Sequence, residues 1–132
     1  MTYRWILLET VLAIHERQID DHGGMAGVRD HGLIESAVNR PQTIALYEDR
    51  FDIFDLAAAY GFALVQNHGF YDGNKRTAYT VTRLFLELNG YMLTASPADR
   101  VIMFLKCAKG ELTEPDLAEW LRQNMQKNKS EV

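Results

Sequence analysis

Two apolar stretches, each long enough for a full helix, flank one polar loop, and this arrangement constrains the fold more than anything else in the 132 residues. Upstream, Phe54, Ala58, Phe62 and Val65 recur at helical spacing behind Asp52 and Asp55, either of which can cap a helix start. Small residues at Ala57, Ala59 and Gly61 allow a close neighbour. Downstream, Ala78, Val81, Phe85 and Leu88 keep a helical period up to Asn89-Gly90, which reads as a stop. Tyr79, Leu84 and Leu86 leave that second helix little polar face, so it is expected to be the central, buried one. The loop between them is Asn67-His68-Gly69-Phe70-Tyr71-Asp72-Gly73-Asn74-Lys75-Arg76-Thr77.

A helix connection needs only a stop and a cap, which Gly69, Gly73 and Asn74 supply. The remaining side chains carry chemistry that this job does not require. His68 exchanges a proton near neutral pH, Asp72 offers hard oxygen to a divalent cation, and Lys75 with Arg76 can hold phosphate. Asp72-Gly73-Asn74 favours left-handed backbone that points successive N–H groups outward at a helix start, where the dipole also favours an anion. Together these residues describe a nucleoside-triphosphate site, and no Walker-type Gly-x-x-x-x-Gly-Lys-Ser/Thr sequence occurs. Phe70 is expected to point into the core and pin the loop.

Elsewhere the pattern is helical. Trp5, Leu8, Leu12 and Ile19 predict a helix from about Tyr3 to Asp20, with His15 on its surface and His22 near its end. A glycine-punctuated loop follows to Gly32, then a short helix capped by Asp30 and closed by Pro41. Residues Pro41 to Arg50 lack clear periodicity and read as an exposed flap or connecting loop. Ser96-Pro97 opens another helix that ends at Gly110, and Thr113-Glu114-Pro115-Asp116 resembles a capping box in front of Leu117, Trp120, Leu121 and Met125. The expectation is an all-α, single-domain bundle of about six helices over residues 1–132. It allows one short extended piece at Tyr91-Met92-Leu93-Thr94 and a frayed tail from Lys127 to Val132.

Composition narrows the function classes. A net charge of −4 with no basic run argues against nonspecific binding to nucleic acid or to an acidic membrane, and the longest apolar run, Leu56 to Val65, is too short for a span. One cysteine, Cys107, cannot form an internal disulfide and reads as a small buried hydrophobe, which fits a reducing cytoplasm.

The loop resembles the motif of the Fic/Doc superfamily, His-x-Phe-x-Asp/Glu/Asn-Gly/Ala-Asn-Gly/Lys-Arg, at His68, Phe70, Asp72, Gly73, Asn74, Lys75 and Arg76. The resemblance extends to Gly23-Gly24-Met25-Ala26-Gly27-Val28-Arg29-Asp30 and to Leu86-Glu87-Leu88-Asn89-Gly90. Where the standard Fic motif has proline after the histidine this chain has Gly69, expected to loosen the turn; where many Doc proteins have alanine it has Gly73.

The resemblance implies ATP and Mg²⁺ as cofactors, with His68 as general base, Asp72 as metal ligand, Gly73 and Asn74 in the phosphate nest, and Lys75 and Arg76 on the phosphates. It leaves two chemistries open. Fic proteins transfer AMP to protein hydroxyls, whereas Doc toxins phosphorylate elongation factor Tu and arrest translation. Lys75 in place of glycine favours the kinase, and a noncatalytic binding module is the remaining alternative. No Ser or Thr has Glu four residues later, so the inhibitory helix of some Fic proteins is missing from the sequence. The resemblance accordingly implies a separate Phd-type antitoxin, whose C-terminal segment folds into an apolar groove near the flap.

Overall fold

A helix that is apolar all round belongs inside, and helix α3 (Ile53–Asn67) meets that condition: eleven of its residues, from Ile53 to Val65, are buried. It takes the central place expected for the helix after the loop, α4 (Asn74–Leu88), whose buried stripe is confined to Asn74, Thr77, Ala78, Val81, Thr82, Phe85 and Leu86. The computed structural model describes residues 2–128. Around α3 and α4 pack α1 (Leu8–His22), α2 (His31–Tyr47), α5 (Pro97–Ala108) and α6 (Glu114–Gln123), with a two-stranded antiparallel ribbon of β1 (Tyr91–Leu93) and β2 (Met125–Lys127).

The close crossing of α3 and α4 depends on Gly61, where a methyl group would collide with Thr82 Oγ1 and lie 3.0 Å from Phe104 Cε1. The start of α3 is fixed twice over. Asp52 accepts from the N–H groups of Phe54 and Asp55, Asp55 accepts in return from the N–H of Asp52, and Arg122 of α6 forks onto Asp52 at 2.8 and 3.0 Å. Burial pushes the Asp52 carboxyl up, but the hydrogen bonds from Arg122, Asp55 and Phe54 and the Arg122 charge outweigh it and hold the group below its usual range. Asp30, Ser96 and Thr113 cap α2, α5 and α6, the last through a capping box with Asp116.

Four expectations are corrected. The first helix begins at Leu8, because the preceding segment is extended and tied down: Arg4 N–H donates to Asn89 Oδ1 and Ile6 N–H to the Tyr60 hydroxyl. Burial pushes that phenol up to about 12. Pro41 does not close α2 but lies inside it, on the buried stripe of Ile34, Ala37, Val38 and Pro41, so packing outweighs the missing N–H. The segment read as a flap is therefore helical as far as Tyr47, although Leu46 and Tyr47 are exposed. At the other end Met125 and Lys127 lie in β2, opposite Leu93 and Tyr91, and Asn128 N–H donates to Gly90 O, so the tail is not frayed there. The rest of the expected tail, residues 129–132, lies outside the described residues.

Candidate functional site

The loop joining α3 to α4 is held by the backbone of residues 27–30 and by the side chains of Arg29, His15 and Asn74. His68 is the C-cap of α3 with φ 48, the one non-glycine residue at positive φ among the described residues. Such a conformation costs about 1–2 kcal/mol for an L-residue and must be held. Arg29 holds it, donating from Nε to His68 O at 2.8 Å and from Nη2 to Asn67 O at 3.2 Å. The N–H groups of Arg29 and Asp30 both donate to Gly69 O, and Val28 bridges to Phe70. The His68 side chain is exposed.

Gly69 does not loosen the turn. It is buried, and a side chain there would collide with Ile34 Cδ1 and lie 2.7 Å from Ile34 Cγ1, so Ile34 fills the space that the missing side chain leaves. Phe70 is buried as expected and stacks on His15. Asp72 is exposed, with Oδ2 accepting from Met25 N–H at 2.6 Å and its carbonyl bonded to His15 Nε2 at 2.8 Å.

Gly73 is the N-cap of α4 with φ 80, and no side chain caps this helix start. Asn74 is buried, its amide accepting from Phe70 N–H and donating to Phe70 O. It therefore anchors backbone and has little left to offer a phosphate. Lys75 and Arg76 are exposed in the first turn. A cavity of about 510 Å³ opens on their side of the loop, walled by Gln18 and His22 of α1 and by Val101, Phe104 and Leu105 of α5. Gly73 and Asn74 also line it, whereas His68 and Asp72 do not.

Two residues here escaped the sequence reading. His15 was expected on a helix surface but is buried beneath the loop. The signal was present, because Leu8, Val11, His15 and Ile19 fall on one helical stripe. Arg29 carries no local signal, since its partners are carbonyls 38 and 39 residues away.

The fold and the loop together define a small helical domain built around a Fic-type loop. A family model described as Fic/DOC family matches residues 5–86, and the chain belongs to the Fic/Doc family. It is 35% identical over 119 residues to Protein kinase doc of Escherichia phage P1, a match covering 90% of this chain and 94% of the phage protein. It is also 45% identical over 74 residues to Toxin Doc of Mycolicibacterium smegmatis, covering 55% of this chain and 57% of that protein.

Proposed function

We propose that this protein is the toxin of a toxin–antitoxin module and acts as an ATP-dependent kinase on a Ser or Thr hydroxyl of a protein, with elongation factor Tu the first target to test. The observation that carries the reading is the uncapped start of α4, with Lys75 and Arg76 in its first turn, six residues after an exposed histidine. That helix start offers N–H groups and a positive dipole end to phosphate oxygens, and Arg76 adds a two-pronged donor. His68 Nδ1 or Nε2 takes the proton of the acceptor hydroxyl as its oxygen bonds to the γ-phosphorus, and the bond from that phosphorus to the β–γ bridging oxygen breaks to release ADP. Lys75 and Arg76 balance the charge that moves onto the leaving phosphates. Gly73 lets the chain pass close to phosphate, while Asn74 keeps the loop shut through Phe70.

Asp72 fits Mg²⁺ as a single exposed carboxylate, and no group of three or more His, Cys, Asp or Glu converges among the described residues. Such a carboxylate suits an ion held jointly with phosphate oxygens better than a preformed protein cage. Bound there, Mg²⁺ supplies charge neutralisation to the phosphates.

Restraint would come from a Phd-type antitoxin. The chain's own charge of −4 gives no support to direct binding of nucleic acid. Among the described residues no helix is long and apolar enough to cross a membrane, and a cytoplasmic setting follows from the proposed target. Incubation with elongation factor Tu and ATP labelled in turn at the α- and γ-phosphates tests the reading: the γ label alone should transfer. Transfer of the α label instead would make the protein an adenylyltransferase, and transfer of neither, to this factor or to any protein of a bacterial lysate, would leave a binding module.

A further inference from the structure

His15 lies outside the motif, yet the loop rests on it. It is only 4% exposed, its ring lies flat on Phe70 with centroids 3.7 Å apart and planes 7° from parallel, and Nε2 is 2.8 Å from the carbonyl oxygen of Asp72. A carbonyl only accepts, so Nε2 carries the proton. The stack fixes the plane of the ring, and the ring plane in turn fixes where that N–H points.

The peptide held in this way joins Asp72 to Gly73. On one side of it the Asp72 carboxylate is pinned by Met25 N–H at 2.6 Å. On the other, Gly73 begins α4 in a left-handed conformation with no capping side chain, and a methyl group there would lie 3.5 Å from His15 Cδ2. Rotation of this one peptide would swing the carboxylate and the first N–H groups of α4 together. A histidine placed only to fill space would not need its one donor on this carbonyl.

We propose that His15 is a positioning residue that locks the Asp72–Gly73 peptide, so that the Asp72 carboxylate and the start of α4 face one and the same metal-bound phosphate. This rests on the reading of Asp72 as the cation ligand. His15→Phe keeps a flat ring for Phe70 and removes the donor, whereas His15→Gln returns an N–H of similar reach without the ring.

The test measures Mn²⁺ binding by paramagnetic resonance in the presence of a nonhydrolysable ATP analogue, for the wild type, Asp72→Ala and both His15 variants, with thermal unfolding alongside. Asp72→Ala should bind weakly. His15→Phe should lose roughly tenfold in Mn²⁺ affinity, in the range found when the support of a metal ligand is removed, and His15→Gln should recover most of it. Wild-type affinity in His15→Phe, with Asp72→Ala weakened, overturns the positioning role and spares the ligand reading. Wild-type affinity in Asp72→Ala shows that the ligand reading itself has failed, and the proposal falls with it. Should His15→Phe not fold, the wild type labelled with ¹⁵N-histidine decides: Mg²⁺ with the same analogue should shift the His15 Nε2–H resonance, and an unmoved resonance rejects the proposal.

Discussion

Arg29 donates from Nε to the carbonyl oxygen of His68 at 2.8 Å, closing the end of α3 at the residue where the chain turns left-handed. Its Nη2 reaches Asn67 O at the same helix end, where a cation also opposes the dipole. Arg29→Ala should therefore cost about 0.5–1.5 kcal/mol of stability, because two carbonyls lose a charged donor at a solvent-exposed site where water takes its place. It should also slow γ-phosphate transfer by about tenfold or more as His68 loses its fixed backbone. Arg29→Lys should restore less than half of either loss, since an ammonium cannot fork onto two carbonyls. Thermal unfolding and labelled-phosphate transfer would check both effects.

His68 sits at φ 48, a conformation that glycine adopts freely. His68→Gly should leave the fold as stable as the wild type or stabilise it by up to about 1 kcal/mol, while transfer falls by ~10²–10⁴ through loss of the proposed general base. Urea unfolding beside a transfer assay would separate the two. A folded His68→Gly protein with full activity would remove His68 from the mechanism.

Gly69 and Ile34 occupy one space. Gly69→Ala should destabilise by about 1–3 kcal/mol, the usual cost of overpacking. Adding Ile34→Ala should make the pair less damaging than the sum of the single changes, because shortening Ile34 removes the colliding methyl. A double-mutant cycle by chemical denaturation would give the coupling, and strict additivity would mean that the two side chains do not compete.

Asp52 carries the pH dependence that the fold makes most visible. Arg122 and two backbone N–H groups outweigh burial and hold its carboxyl below the ordinary value of 3.8. A depressed carboxylate contributes stability that is present above its unfolded value and lost as pH falls through its folded value. Melting temperature should thus be level near neutrality and drop below about pH 4. Asp52→Asn should melt lower than wild type at pH 7 and show a shallower acid decline, so that the two curves converge at low pH. Parallel curves would assign the acid limb to other carboxylates.

Lys75→Gly tests the direction of the nucleotide. Removing this cation should lower γ-label transfer by tenfold or more, since a charge beside the transferring phosphates is lost. Some α-label transfer should then emerge if Lys75 is what favours the reversed nucleotide. Unchanged γ transfer would show that Arg76 and the helix start are sufficient.

Elements with local causes are legible in the order of the amino acids. Periodicity located α3 and α4, and Asp30, Ser96 and Thr113 declared their helix starts because a cap and its N–H partners lie within one turn. The loop from His68 to Arg76 was legible for the same reason, since its side chains follow one another in the chain. Packing between elements sets where a helix survives its own breaker, as at Pro41, where a buried stripe shared with Ile34 and Val38 outweighs one lost hydrogen bond. It alone settled that α3 rather than α4 is central, because burial depends on neighbours on every side. It alone brought His15 and Arg29 to carbonyls 57 and 39 residues away, since a backbone acceptor is the same in every residue and leaves no mark on the sequence that a distant donor could match.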